Sequence, residues 1–256
     1  MRAHPANGPA RLCRRACRYP VQVTELVLTL SCPDQRGIVH AVTGAIARAG
    51  GNITESQQFG DVDSGQFLMR VQADGIVDEE GLRASLTVLS SQLRMTWSLD
   101  EVGRPVRSLL MASKEAHCLS DLLFRAREGL LPVQVVGVVS NHPDLAPLAE
   151  FYRVPFHHVP VTRDTKPEAE ARLLGLVRDL DVELVVLARY MQILSDSVCR
   201  ELPGKVINIH HSFLPSFKGA RPYAQAHARG VKLIGATAHY VTPDLDEGPI
   251  IEQDVA

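Results

Sequence analysis

The first part of the chain alternates apolar strands and helices in the order of a small α+β unit. Residues 26–30 are apolar and predict a strand, residues 38–49 predict a helix, and Gly50-Gly51-Asn52 ends that helix. The pattern continues with strands at 53–59 and 66–72, a helix at 78–92 and a last strand at 95–99. The order β-α-β-β-α-β is a split βαβ arrangement. We therefore predict a first folded unit over residues 25–100.

From residue 106 the pattern changes to strands that alternate with helices. The strands are short apolar runs without strict alternation, which is typical of parallel strands buried on both faces. They cover residues 106–111, 133–139, 156–160 and 182–188, and the helices between them cover 118–128, 144–152 and 167–179. This order predicts a doubly wound α/β domain over residues 106–256, after a linker near residues 100–105.

A polar segment follows the last of these parallel strands. An extended segment alternates its side chains, so Asn208 and His210 are expected on one face and His211 on the other. A helix at 223–229 and a strand at 233–240 then return the chain to an acidic loop at 244–247. In an open α/β sheet, ligands bind at the carboxyl edge of the strands. We expect the polar segment and the acidic loop to meet at that edge.

These residue types suit attack on a carbonyl carbon. The Asn208 amide and the His210 imidazole can donate hydrogen bonds to an oxygen that gains negative charge. A carboxylate can orient the nucleophile and take up its proton. We favour Asp246 over Asp244 for this role, because Asp246 precedes Glu247-Gly248-Pro249 and so lies at a turn. His239, on a predicted strand, is expected to be a packed, hydrogen-bonded residue.

The same residues resemble the formyltransferase fold of enzymes that use 10-formyltetrahydrofolate, whose catalytic trio is Asn, His and Asp in this order. The matching positions are Asn208, His210 and Asp246. The doubled His210-His211 and the segments 114–119 and 231–240 are similar to the formyltetrahydrofolate deformylases, a branch of that family. The resemblance implies hydrolysis of 10-formyltetrahydrofolate, as substrate and without a cofactor, in one-carbon metabolism and purine biosynthesis.

The resemblance also implies where the folate binds. A flat heterocycle needs apolar walls and a few backbone hydrogen bonds, and the segments at 189–194 and 241–246 can provide both. The residues expected to bind folate are Tyr190, Met191, Gln192, Ile193, Leu194, Val241 and Asp244. From the residues alone, the alternative for the first segment is a strand end that packs into a helix.

The first unit resembles the ACT domain, a ferredoxin-like regulatory module that usually binds amino acids between paired copies. The resemblance rests on the β-α-β-β-α-β order and the turn at residues 34–37. It implies an amino-acid effector, a homo-oligomer, and effector-binding residues at Asp34, Gly37, Asn52 and Ile53. Backbone amides at a helix N-terminus suit the carboxylate of an amino acid. The alternative is that Gly37 and Gly50-Gly51 only form turns and a helix cap.

Two other functions stay open. The first is formyl transfer to an amine; a phosphorylated amine is disfavoured because residues 113–119 contain no glycine, and a tRNA acceptor because residues 104–256 have a net charge of −1. The second is an amino-acid sensor with an inactive catalytic half.

Relatives continue beyond the strand at 250–255, so the catalytic unit is expected to end early.

Composition and charge exclude several classes of protein. The 256 residues carry a net charge of −2, and residues 1–24 contain five Arg and no acid, which we interpret as a disordered leader. No apolar run reaches the roughly 20 residues of a membrane helix. Five cysteines without metal-type spacing predict no disulfide framework, no metal site and a cytoplasmic location. Neither His157-His158 nor His117-Cys118 has a partner motif at ligand spacing. We expect no nucleic-acid or membrane partner.

Overall fold

The computed structural model describes residues 25–219 and 221–255. The chain divides into two compact units, one up to Val102 and one from Gly103 onward. The predicted leader at residues 1–24 lies outside the described residues.

The first unit is a four-stranded antiparallel sheet with two helices. Its elements are β1 (Leu26–Pro33), α1 (Ile38–Arg48), β2 (Asn52–Asp61), β3 (Gln66–Asp74), α2 (Glu79–Leu93) and β4 (Thr96–Glu101). The strand order is β2-β3-β1-β4. This confirms the predicted split βαβ arrangement.

Alternation along β1 explains the core of this unit. Leu26, Leu28 and Leu30 are buried, whereas Thr29 between them is exposed. The buried side chains join α1 and α2 in one apolar cluster. The helix α2 begins at Asp78, whose carboxylate accepts a hydrogen bond from the Gly81 amide at 2.9 Å. The sheet therefore packs one face on the helices.

The second unit is a seven-stranded mixed sheet with helices between its strands. Its elements are β5 (Val106–Ala112), α3 (His117–Arg127), β6 (Val133–Ser140), α4 (Ala146–Phe151), β7 (Phe156–His158), α5 (Lys166–Asp179), β8 (Leu184–Leu187), α6 (Asp196–Glu201), β9 (Val206–His210), α7 (Pro222–Ala228), β10 (Gly235–Tyr240) and β11 (Ile250–Val255). The strand order is β11-β10-β9-β8-β5-β6-β7. The strands β5 to β9 pair in parallel, and β10 and β11 are antiparallel. The doubly wound α/β prediction is confirmed.

The central strand β5 shows why its sequence lacks alternation. Leu109 and Met111 pack into a cluster with α5 and α6, whereas Leu110 and Ala112 pack into a second cluster with α3 and α4. Each face of the sheet is therefore covered by helices, as expected for parallel strands. Within residues 25–219 and 221–255, no helix is long and apolar enough to cross a membrane.

The helix α6 was not predicted. It has only six residues and is capped at its N-terminus by Ser195, whose hydroxyl accepts a hydrogen bond from the Val198 amide at 3.5 Å. Val198 and Cys199 are buried against the core. Because so short a helix depends on tertiary packing, its sequence carries little periodic signal.

Candidate active site

The pairing of β9 with β10 places four polar residues beside one another. Asn208 on β9 lies opposite His239 on β10, and His210 lies opposite Thr237. Alternation then puts Asn208 and His210 on one face, and both line a cavity at the carboxyl end of the parallel strands. This edge is where an open α/β sheet binds ligands.

The hydrogen-bond partners of His210 fix which of its nitrogens faces the site. His210 is 5% exposed, and its Nε2 atom lies 2.9 Å from the carbonyl oxygen of Phe217. Because a carbonyl only accepts, Nε2 carries the proton and donates. The other nitrogen, Nδ1, lies 3.6 Å from Oδ2 of Asp246. A proton on Nδ1 is therefore directed toward the space beside this carboxylate.

A second histidine fixes the amide of Asn208. The Nδ1 atom of His239 lies 2.9 Å from the carbonyl oxygen of Tyr240 and donates to it. In the neutral imidazole, Nε2 is then an acceptor, and it lies 3.1 Å from Nδ2 of Asn208. One Nδ2 hydrogen of Asn208 bonds to His239, so the second can donate to an oxygen in the cavity. His239 is a packed residue, and it also orients the amide.

Asp246 is held in a tight loop between β10 and β11. Its backbone φ is 57°, and its Oδ2 atom accepts a hydrogen bond from the Gly219 amide at 2.9 Å. The loop returns so closely to β10 that a Cβ at Gly248 would overlap the Tyr240 carbonyl oxygen. Asp246 Oδ1 lies 3.9 Å from Nε2 of His239. The loop therefore brings the predicted carboxylate to both imidazoles.

The cavity has a volume of about 270 Å³ and is lined mainly by apolar groups. Six of the seven residues predicted to bind folate line it, namely Tyr190, Met191, Gln192, Ile193, Leu194 and Val241. Burial, and then Glu170, raise the pKa of Tyr190 to about 12, so its hydroxyl stays neutral.

Asp244 is not among the lining residues. Its side chain is exposed, whereas its carbonyl oxygen accepts hydrogen bonds from the Thr242 hydroxyl at 3.0 Å and from the Glu247 amide at 3.3 Å. Asp244 therefore shapes the loop, and its neighbours Pro243 and Leu245 face the cavity.

His211 was expected to project away from Asn208 and His210, and this was wrong. The strand β9 ends at His210, so alternation stops there, and His211 also lines the cavity. Its ring lies 5.7 Å from that of His210 and 5.5 Å from that of Tyr223. Burial, and then the positive charge of Arg189, lower the pKa of His211 to about 4.

The four residues predicted to bind an effector in the first unit do not come together within one copy. Asp34 and Gly37 lie where β1 meets α1, at the sheet end marked by Gln66. Asn52 and Ile53 lie at the opposite end, because Asn52 pairs with Asp74 at the far end of β3. The helix α1 spans the distance between the two ends, and its 11 residues extend over roughly 16 Å.

The orienting role of one site residue was missed from the sequence. The role of His239 becomes visible only from the β9–β10 register, although alternation from Thr237 could have indicated its face. Arg189, the first residue of the segment that the resemblance places at the folate pocket, also lines the cavity. In the described part of the chain, no group of three His, Cys, Asp or Glu residues could hold a metal ion.

Family models match both units. Residues 106–256 match the formyl transferase model, and residues 26–84 match the ACT domain model. The chain is 55% identical over 232 residues to the formyltetrahydrofolate deformylase of Corynebacterium sp. strain P-1, and the match covers 90% of this chain and 81% of that protein. The Bacillus subtilis formyltetrahydrofolate deformylase is 46% identical, with 89% and 77% covered.

Solved structures agree with these matches. The formyltetrahydrofolate deformylase of Burkholderia mallei superposes with a TM-score of 0.86 at 50% identity, covering 91% of this chain and 83% of that chain. That of Pseudomonas syringae pv. tomato has a TM-score of 0.88 at 46% identity, covering 93% and 81%. A phosphoribosylglycinamide formyltransferase from Anaplasma phagocytophilum has a TM-score of 0.55 at 34% identity, covering 59% and 72%. The chain therefore belongs to the formyltetrahydrofolate deformylase family.

Proposed function

We propose that the chain hydrolyses 10-formyltetrahydrofolate to tetrahydrofolate and formate, with Asn208, His210 and Asp246 as the catalytic residues. The observation that carries the proposal is the convergence of three groups on one cavity. The Asp246 carboxylate lies 3.6 Å from His210 Nδ1, and the Asn208 amide is oriented by His239 at 3.1 Å. Preorganised donors of this kind stabilise a developing oxyanion more than water can.

The proposed reaction has two steps. In the first, Asp246 accepts a proton from water as the water oxygen bonds to the formyl carbon. The carbonyl oxygen becomes an oxyanion that accepts hydrogen bonds from Nδ2 of Asn208 and, with His210 protonated on both nitrogens, from Nδ1 of His210. In the second, the bond between this carbon and N10 breaks, and N10 takes the proton from Asp246. Formic acid keeps the second water proton and ionises to formate.

The apolar cavity beside these groups supports a site for the pterin ring. One lining segment contributes Tyr190, Met191, Gln192, Ile193 and Leu194, and the other contributes Val241. Asp244 contributes through the backbone of its loop, since its carbonyl oxygen accepts two hydrogen bonds within the loop. We propose that backbone groups of both segments form hydrogen bonds with the polar edge of the ring.

The test is formate release from 10-formyltetrahydrofolate without any amine acceptor. We expect release by the unaltered protein and a loss of about 10³-fold in Asp246→Asn, because general-base catalysis contributes this much. Asp244→Asn is the matched control, two residues away on the same loop but exposed, and it should retain turnover. Folate binding, followed by isothermal titration calorimetry, should persist in both variants.

Three outcomes separate the candidate functions. Release that is unchanged in Asp246→Asn would contradict the assignment of the carboxylate. Turnover that requires an added amine would instead establish formyl transfer. Folate binding without either reaction would leave the amino-acid sensor with an inactive catalytic half.

For the first unit, we propose an amino-acid effector and a homo-oligomer. The helix α1 begins at Gly37 without a side-chain cap or an acidic residue in its first turn, which suits a carboxylate ligand. A site that uses Asp34 and Gly37 together with Asn52 and Ile53 needs two copies of the chain. Sedimentation equilibrium and calorimetric titration of single amino acids test this, and a monomer that binds one effector would contradict it.

We also propose a cytoplasmic location. Cys32, Cys118 and Cys199 are unpaired thiols, which fits a reducing compartment. Fractionation of the native cells, with the chain detected by an antibody, tests the location.

A further inference from the structure

The backbone of Arg189 is fixed by a buried polar network. Arg189 has a φ of 64°, a conformation that costs a non-glycine residue about 1 kcal/mol or more. Its carbonyl oxygen accepts a hydrogen bond from the Ser113 amide at 3.1 Å. The Ser113 hydroxyl accepts from the Met191 amide at 2.9 Å and donates to Asn141 Oδ1 at 2.7 Å. The base of this side chain is therefore held in one position at the wall of the cavity.

The guanidinium of Arg189 lacks an anionic partner within the described part of the chain. No ion pair in residues 25–219 and 221–255 includes it, and its Nε atom is buried without a hydrogen-bond partner. Arg189 is among the residues that line the same cavity as Asn208, His210 and Asp246. Because Nε is closed to a ligand, an anion in the cavity would bind the terminal nitrogens of this guanidinium, whose charge no acidic side chain of the described residues neutralises.

His211 adds a second polar group on this side of the cavity. It lines the cavity, and its ring packs edge-on against Tyr223 at 5.5 Å. Besides burial, the charges of Arg189, His210 and His117 lower its pKa, and only Asp246 acts in the opposite direction. The region around His211 therefore has positive potential, and the neutral ring can donate a hydrogen bond to an anion.

From this arrangement we infer that Arg189 and His211 form a subsite for formate, a small monocarboxylate, beside the catalytic residues. The inference rests on the proposed hydrolysis, which generates formate next to the carboxylate of Asp246. Two carboxylates at short range repel, whereas a guanidinium binds a carboxylate through parallel N–H donors. Arg189 thus offers the product a favourable position away from Asp246.

The test measures formate binding directly, by saturation-transfer NMR on formate added to the full chain without folate. Formamide, which has the same shape without the charge, is the neutral probe. Arg189→Gln removes the charge, and Arg189→Lys keeps the charge but not the paired donors. Arg153→Gln is the matched control, because Arg153 has a φ of 58° and is exposed.

We expect formate to bind the unaltered protein and Arg153→Gln equally, and Arg189→Gln at least tenfold more weakly. Arg189→Lys should lie between them, and formamide should bind all four proteins alike, which shows an intact cavity. Equal formate binding in Arg189→Gln and Arg153→Gln, or no formate binding to the unaltered protein, would overturn the subsite. Because this measurement needs no turnover, failure of the hydrolysis assay is detected separately.

Discussion

Asn52 in the first unit and Asn208 in the second make side-chain hydrogen bonds of the same length. Asn52 donates to Asp74 at 3.1 Å, and Asn208 lies 3.1 Å from its partner His239. Asn52 lies on the edge strand β2 and is exposed, whereas Asn208 is partly buried on the interior strand β9 and its partner His239 is buried. Water therefore competes with the first bond more than with the second. The side-chain amide of Asn is therefore a donor of fixed orientation only in the second unit.

The sharpest test of this comparison replaces both asparagines by alanine. Asn208→Ala should lower the rate of formate release by about 10²- to 10³-fold, because it removes an oxyanion donor. Asn52→Ala should leave the rate within about twofold and change stability by about 0.5 kcal/mol or less. Steady-state kinetics and urea unfolding measure the two effects. An equal loss of rate in both variants would show that the first unit controls turnover.

A pair of glycines extends the comparison to the backbone. In Gly248→Ala the new Cβ would overlap the Tyr240 carbonyl oxygen, so the loop that carries Asp246 must move. We expect a loss of about 2–3 kcal/mol of stability together with a clear loss of turnover. In Gly37→Ala the Cβ would meet nothing within 4 Å, but the φ of 91° remains unfavourable, and the cost should be about 1 kcal/mol. Thermal unfolding with parallel activity assays measures both, and equal costs would contradict the close approach.

The sequence predicted both fold types because each unit has a distinct pattern. The β-α-β-β-α-β order of residues 26–99 indicated a split βαβ unit, and the continuous apolar run of β5 indicated burial on two faces. The helix α6 could not be predicted, since six residues held by one cap and by packing carry no periodicity. The local pattern of apolar residues thus indicated the order of strands and helices in each unit.

The sequence predicted only those site residues whose chemical types by themselves indicate a reaction. Asn208, His210 and Asp246 combine an amide, an imidazole and a carboxylate, and this combination limits the possible reactions. The contributions of His239 and Arg189 depend on strand register and on a left-handed backbone position. The placement of Asp34 and Asn52 at opposite ends of one sheet likewise follows from register. Sequence identifies such groups, and only topology shows which of them meet.

The stability of the second unit should depend on pH through the buried His211. His211 in the second unit has a pKa of about 4 in the fold, against about 6.5 in an unfolded chain. Above pH 6.5 both states are neutral; as pH falls from 6.5 to 4 only the unfolded state gains a proton, so stability decreases. With partial solvent screening we expect a loss of roughly 1–2 kcal/mol over this window.

His211→Gln should remove this part of the decrease. Urea unfolding at several pH values between 4 and 7 measures the slope, and Tyr223→Phe, which keeps the ring beside His211, serves as the control. A slope that is unchanged in His211→Gln would mean that the buried imidazole is not the group that titrates.

The smallest effect concerns a carboxylate in the first unit. The Ser64 hydroxyl and then the Asp63 amide donate hydrogen bonds to Asp61, which lower the pKa of this surface carboxyl group. Ser64→Ala should raise this pKa toward its ordinary value, as measured by NMR titration of the Asp61 carboxyl carbon. Because the native pKa is lowered, any contribution to stability is present above the unfolded pKa and lost as pH falls through the native one. Because Asp61 lies at the surface, the urea midpoint of unfolding at pH 7 should stay the same in Ser64→Ala. A measurable decrease would show that this turn in the first unit depends on a fixed polar contact as strongly as the Asp246 loop does.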